Sequence, residues 1–528
     1  MCLSCDPDNP DNPDDPVNHV FTRSEPLRTI RHLVDLQARE RPDATWLIAP
    51  ETGATMDFAQ LQRDSRDLTR FLLDRGLQPG DKVALMLHNG YQTPRLLIGV
   101  MYGGFMAAPL NLLAQPSQLS YVLEHSDTRL VFTSAEFEPR LREALAGIAR
   151  GVAVVVIDPD ATDILDRSAL PEAALPAVAE TDDALLMYTS GTTGKPKGCV
   201  LSQRSVCTGG EFTSAAHGLG AQDRVLCAMP LYHINGQIVT TVAPLTHGGS
   251  VVMPHRFSVS HYWRQVAEHR CTWINVVPTI IAYLLNAPTP HALGLDVSRV
   301  KFCRSASAPL PPELHRAFED KFGIGIIETF GMTETNAPCF TNPLDPAQRK
   351  IGSPGTAFGN EAQVIDPATG REQPRGVPGE LMIRGDNVMT GYYKDPETTA
   401  KTLEPDGWLH SGDLGYMDED GFVFVTGRIK ELIIKGGENI APREIDEALL
   451  KHPAVLEAAA VGIPDPSYGQ EILACVVLKP GADCTVESLS AFATQELGKY
   501  KTPKTIRFVS ELPKGPSGKV QRLKLLEP

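Results

Sequence analysis

Residues 185–198 read LLMYTSGTTGKPKG. An apolar start, as in a strand, runs into a loop that holds Thr189, Ser190, Thr192, Thr193, Lys195 and Lys197 among Gly191, Gly194 and Gly198. Small residues let backbone N–H groups approach phosphate oxygens, while hydroxyls and lysines add donors and charge. The GxxxxGK[ST] pattern of a Walker A loop is absent. Gly/Ser/Thr-rich stretches are commonly plain surface loops. Three glycines, four hydroxyls and two lysines within ten residues point instead to an anion cradle.

Around this loop the chain alternates strand-like and helix-like segments. Residues 151–157, GVAVVVI, form a continuous apolar, β-branched run, as expected of a strand covered on both faces. Residues 273–277 and 300–303 look similar, and 312–322, PELHRAFEDKF, has helical apolar spacing. The alternation predicts an α/β fold of layered helices and sheet, with no repeat of fixed period. From about 343 to 428 the chain turns rich in Gly and Pro, with short strand-like runs at 380–384 and 422–425, which predicts a β-rich part. Beyond it come an apolar run at 432–434, a helix at 443–451 and strands at 458–463 and 472–478, one small α+β domain. The expected organisation is a tail at 1–22, a large N-terminal domain at 23–428 and a C-terminal domain at 429–528.

The chain has 528 residues, enough for roughly three domain-sized units. Its 42% hydrophobic content can bury a large core. With 49 basic and 64 acidic residues the net charge is −15, which argues against a general binder of nucleic acid or anionic membrane. No run of 18 apolar residues suggests a membrane span. Residues 1–20, MCLSCDPDNPDNPDDPVNHV, lack the basic start and apolar stretch of a secretory signal and read as a disordered tail. Ten cysteines in a chain of this length make no disulfide framework, and the Cys2/Cys5 pair has no second pair beside it. A reducing, cytoplasmic setting is expected.

The loop at 185–198 closely resembles the phosphate loop of the adenylate-forming superfamily, which includes acyl-CoA synthetases, peptide-synthetase adenylation domains and beetle luciferases. The resemblance runs from about Leu27 to Leu526, with further motifs in the family's order. Residues 328–335, ETFGMTET, resemble the YGMTE motif. By that resemblance Glu328 and Thr329 belong to the nucleotide site, Phe330 stacks on adenine, Thr333 contacts the α-phosphate and Glu334 helps hold Mg2+. A flat apolar ring suits a base and a hard carboxylate oxygen suits a hard cation. Ser307, Ala308 and Pro309 match the segment near adenine. Asp413 in WLHSGDLG would accept both ribose hydroxyls, Arg428 in GRIKE would add a ribose contact, and Lys430 would be the hinge about which the small domain turns. Lys435, Gly436 and Gly437 match the loop that forms part of a pantetheine tunnel for CoA. Lys519, in PKGPSGKVQR, matches the catalytic lysine of the adenylation step.

The resemblance thus implies two half-reactions using ATP, Mg2+ and CoA: a carboxylic acid is adenylated with release of pyrophosphate, then the acyl group passes to CoA. Residues from both ends of the chain would serve one site by domain rotation. For the acid, PLYHINGQ at 230–237 resembles the family's PLFHxxG motif, which implies that His233 lies beside the reacting carboxylate, with Asn235, Gln237 and Asn336 as polar groups of the acyl pocket. Arg304, in VKFCRSASAPL, stands where fatty- and aromatic-acid members commonly carry an apolar or small residue, and oxalate-using members have a similar segment. A buried guanidinium needs an anion, supplied either by a protein carboxylate or by a second acidic group of the substrate. The second option predicts oxalate, malonate or sulfoacetate, with carnitine behind them. The competing functions are a medium- or long-chain fatty acyl-CoA synthetase, a carrier-protein-loading adenylation enzyme, a nucleotide-binding regulator without catalysis, and a luciferase-type oxygenase. Arg304 disfavours the first; the joint presence of Thr333, Glu334, Asp413, Arg428 and Lys519 disfavours the regulator.

Overall fold

The computed structural model describes residues 28–170, 174–189, 196–336, 338–515 and 520–526. The expected tail with Cys2 and Cys5, the loop residues Ser190, Gly191, Thr192, Thr193, Gly194 and Lys195, and Lys519 lie outside the described residues. Among the described residues the strands form sheets of nine, seven, four and five strands.

The nine- and seven-stranded sheets build the large domain, each with a parallel centre. Helices Ile30–Glu40, Phe58–Asp74, Gln92–Tyr102 and Gln203–Ala216 fill the space between them, where Trp46, Phe58, Phe132, Leu185 and Trp273 join one continuous core. Helices Pro116–His125 and Glu138–Leu145 cover the far face of the seven-stranded sheet, while Val259–Glu268, Pro278–Leu285 and Pro312–Phe322 cover that of the nine-stranded one. Parallel strands need helical crossovers, and burying both faces explains their Val/Ile/Leu-rich runs.

Helix Pro312–Phe322 coincides with the predicted span. Pro312 sits in its first turn, where a missing N–H costs nothing, and Gly323 ends it with φ 65°. The run at 151–157 is a correction. Among the described residues strand Ala153–Val156 pairs only with Leu130–Thr133, lies at the sheet edge, and exposes its first and last residues. An apolar run reports strand propensity but not which neighbours the sheet supplies.

The antiparallel sheet Glu361–Ile365, Gly379–Arg384, Leu409–Met417 and Val423–Arg428 answers to the β-rich part. The smaller C-terminal domain is a five-stranded sheet with helices Pro442–Leu450 and Val486–Lys501 on a core of Ile433, Ile445, Leu449, Ile472 and Val476. The chain is thus a layered α/β protein with a large N-terminal and a smaller C-terminal domain, as the sequence predicts.

Candidate active site

A cavity opens between the two domains. Its wall takes Ser307, Ala308 and Pro309 from the turn after strand Phe302–Ser305, and Glu328, Thr329 and Phe330 from the end of strand Ile326–Phe330. Both segments leave the carboxyl ends of neighbouring parallel strands, where open α/β sheets bind ligands. Asp413 and Arg428, directly opposed on two antiparallel strands, complete the large-domain side. Arg443, Glu447, Lys514, Val520 and Arg522 face them from the small domain.

The Arg428 guanidinium grips Asp413 with Nε 2.8 Å from Oδ1 and Nη2 3.3 Å from Oδ2, and beside that carboxylate its pKa rises above the ordinary arginine value. The turn carrying Asp413 is braced from behind. Gly412, at φ 69°, donates its N–H to Glu380 Oε1 at 2.9 Å, while the Asp413 N–H bonds Ser411 Oγ at 3.0 Å. His410 lies between Glu380 Oε2 at 3.0 Å and Glu404 Oε1 at 3.1 Å. Glu328 accepts the Leu310 N–H through Oε1, but its Oε2 and the Thr329 hydroxyl have no hydrogen-bond partner among the described residues. Burial pushes the Glu328 carboxyl up to about 7. Buried polar atoms without partners along a cavity wall are prepared for a polar ligand.

On the phosphate side, Thr189 and Lys197 are opposite one another on the hairpin that closes the Gly-rich loop. Lys197 Nζ sits 5.2 Å from the centroid of the Tyr392 ring, and the Tyr392 hydroxyl donates to Glu334 Oε1 at 2.9 Å. Thr333 and Glu334 occupy the single helical turn Thr333–Thr335, and the Met389 N–H bonds the Glu334 carbonyl at 2.8 Å. Sequence reasoning missed Tyr392. It reaches the site because Gly391–Tyr392 pairs with Cys199 and Val200, a contact across nearly 200 residues that no local pattern announces.

Asn275 was missed as well. Strands Trp273–Val276 and Phe302–Ser305 pair in register, with Asn275 opposite Arg304. Strand alternation puts both on the face that carries Trp273 and Phe302, toward the helices between the sheets. There Arg304 Nη1 donates to Asn275 Oδ1 at 2.9 Å and to Asn235 Oδ1 at 3.1 Å. Asn275 Nδ2 also bonds Asn235 Oδ1 at 3.0 Å, and Asn235 Nδ2 reaches Ser307 Oγ at 3.1 Å. Arg304 is 2% exposed, and among the described residues its Nε has no partner and no carboxylate pairs with it. Burial pushes its pKa down to about 9. Of the two anion sources left open by the sequence, the protein carboxylate is therefore not found.

Asn235 opens the π-helical segment Asn235–Val242, and His233 lies just before it, its ring 4.8 Å from that of Tyr232. Gln237 and Asn336 share no hydrogen bond with Arg304. Gln237 Nε2 bonds the Leu231 carbonyl and Met187 sulfur, and Asn336 Nδ2 the Asn387 carbonyl, so both brace neighbouring chain. Lys430 falls in the turn Ile429–Glu431 between the domains. Lys435 departs from the expected CoA contact. It is buried, with Nζ 2.9 Å from Glu471 Oε2 and bonded to the Tyr500 carbonyl, whereas Gly436, Gly437, Glu438 and Asn439 of the same hairpin are exposed.

Among the described residues no helix is long and apolar enough to cross a membrane. The AMP-binding enzyme family matches residues 34–393, and the AMP-binding enzyme C-terminal domain matches 444–519. A sulfoacetate–CoA ligase of Cupriavidus necator is 55% identical over 96% of this chain and 99% of its own length. An oxalate–CoA ligase of Arabidopsis thaliana is 34% identical over 87% of this chain and 90% of its own. ATP-bound MatB of Rhodopseudomonas palustris superposes with a TM-score of 0.87 at 30% identity, covering 94% of this chain and 98% of that one. The apo form of the same protein, at 31% identity and equal coverage, gives 0.77. Matched by that family over more than half of its length, and by curated relatives at 34% and 55% identity over most of both chains, the chain belongs to the AMP-binding enzyme family.

Proposed function

We propose that the acid activated by this protein is small and carries a second anionic group, with sulfoacetate the leading candidate. The protein is an AMP-forming acid–CoA ligase. An acid carboxylate oxygen forms a bond to the α-phosphorus of ATP as the bond to pyrophosphate breaks. The CoA sulfur then attacks the acyl carbonyl, and AMP leaves. Arg304 carries the substrate assignment: a buried cation with amide partners only, in a chain 55% identical to a sulfoacetate–CoA ligase.

Phe330 and the Ser307–Pro309 turn take the adenine, and the Asp413–Arg428 pair takes the ribose hydroxyls, which a fixed and neutralised carboxylate accepts well. Thr189, Lys197, Thr333 and the residues Ser190, Gly191, Thr192, Thr193 and Gly194 hold the phosphates, while Glu328 and Thr329 meet the base with their unpartnered oxygens. Mg2+ fits Glu334, one hard carboxylate held by Tyr392, whose ring lies under Lys197 Nζ. Such an ion takes one or two carboxylates with substrate phosphates, and when bound it would neutralise charge developing on the phosphoryl oxygens. Tyr392 fixes the Glu334 carboxylate before nucleotide arrives.

His233 adjoins the reacting carboxylate. Lys519 bridges carboxylate and α-phosphate in the first step; its neighbours Lys514 and Val520 both line the cavity. The small domain, 429–528, then turns about Lys430 and presents Gly436 and Gly437 to the pantetheine arm. The higher TM-score to the ATP-bound than to the apo neighbour supports an adenylation-type arrangement here. Seven buried, unpaired cysteines among the described residues support a reducing, cytoplasmic setting.

The test is ATP- and CoA-dependent pyrophosphate release across sulfoacetate, oxalate, malonate, carnitine, acetate, octanoate, palmitate and 4-coumarate. Turnover confined to a short dianion is the expected result. Preference for octanoate, palmitate or 4-coumarate overturns the substrate assignment and leaves the ligase chemistry standing.

A further inference from the structure

We infer that Asn275 is a specificity-determining residue: its neutral amide keeps the Arg304 charge uncompensated, and so reserves that charge for the second anionic group of the acid. The inference rests on the substrate class proposed above and deepens it. Asn275 is fully buried and lies opposite Arg304 in the parallel register. Its Oδ1 holds Arg304 Nη1 at 2.9 Å, while its Nδ2 fixes Asn235, the other acceptor of the same nitrogen. Both protein acceptors are thus on one edge of the guanidinium. Nε, part of the other edge, has no partner. A planar fork held this way is suited to an oxyanion on the free edge.

The charge count around the cluster is one-sided. Asn235, Asn275 and Ser307 are neutral. His217, stacked on Phe302 and near enough to feel Arg304, is pushed down to about 3 by burial and that cation, and stays uncharged at neutral pH. A carboxylate in place of either amide would occupy nearly the same space and complete an internal ion pair. The substrate's second anion would then meet a neutral pair instead of a free cation. An amide here is therefore a choice of charge at constant shape.

Two variants test this: Asn275→Asp, nearly isosteric but negative, and Asn275→Ser, shortened but neutral. Steady-state kcat/KM is measured for sulfoacetate and for acetate, with ATP affinity read by equilibrium binding as a control on the nucleotide site. In the Asp variant kcat/KM for sulfoacetate should fall by about 100-fold or more relative to acetate, as the incoming anion meets an internally paired guanidinium instead of a free cation. ATP affinity should remain within a few-fold of wild type. The Ser variant should keep the preference for sulfoacetate. An Asp variant that retains the wild-type preference overturns the inference, as does an equal loss in both variants, which would make Asn275 a packing residue. A wild type that prefers a fatty or aromatic acid overturns the underlying substrate class, an outcome read from the wild-type panel alone.

Discussion

Arg95 and Arg304 are both almost completely buried in the large domain, at 1% and 2% exposure. Arg95, in helix Gln92–Tyr102, has Nε 3.0 Å from Asp64 Oδ2 and donates Nη1 to Gln92 at 2.7 Å. Asp64 is itself buried and takes Arg167 Nη2 at 2.7 Å on its other oxygen. Arg304 has two amide oxygens and no carboxylate among the described residues. Composition cannot tell these arginines apart, but their partners can. A buried cation with its own acid holds elements together, whereas one given only amides is left with charge for something that arrives from outside.

The sharpest way to break this contrast is Arg304→Met. Turnover of the dianionic acid should fall by about 1,000-fold or more in kcat/KM, in keeping with loss of a desolvated ion pair worth about 4 kcal/mol. Stability should hold or rise, because no acid is stranded. Steady-state kinetics beside thermal unfolding would show both, and unchanged kinetics with sulfoacetate would end the role given to Arg304. Arg95→Met should do the opposite. It leaves Asp64 buried with only the half-exposed Arg167, so stability should drop by about 3 kcal/mol, while kcat per folded molecule stays near wild type. Urea unfolding with active-site titration separates the two quantities.

Glu328 supplies a mirror image and the smallest effect: a buried acid that makes no ion pair among the described residues, with only the electrostatic pull of Arg443 across the cavity to offset its burial. Its carboxyl can escape by protonating, which a guanidinium scarcely does. A carboxyl raised to about 7 in the folded state is protonated in both states at pH 4 and costs nothing there. Between about pH 4.5 and 7 the unfolded chain releases this proton first, so stability falls as pH rises. Glu328→Gln should therefore come closest to wild type at pH 4 and be more stable by about 1–3 kcal/mol at pH 8. Parallel Tm-versus-pH curves for the two proteins would contradict it.

Much of this was legible in the sequence. Pro312 and Gly323 mark their helix because Pro and Gly act through local backbone geometry. The motif residues Ser307, Phe330, Asp413 and Arg428 gather around one cavity because each stands at a strand end or a cross-strand pair. Register was not legible. The Asn within WINVV was visible as a polar residue in an apolar strand, but that it faces Arg304 depends on how two strands 29 residues apart align. Tyr392 depends in the same way on a strand pairing across the domain. The resemblance of KGGE to the pantetheine-loop motif assigns Lys435 to that loop; Glu471, its ion-pair partner, comes from another strand.

Arg522 belongs to the last turn of the described chain, Arg522–Leu526. It bonds Glu431 through Nε at 3.2 Å and the Ala460 carbonyl at 2.9 Å, and it also pairs with the buried Asp446. Burial already raises the Asp446 carboxyl, and Arg522 is what draws it back down. Trimming the chain after residue 519 would strand that acid inside the small domain and cut the tie to the residue beside Lys430. The turn Arg522–Leu526 thus acts as a keystone, and a proteolytic nick just before it would loosen the small domain long before it reached its core.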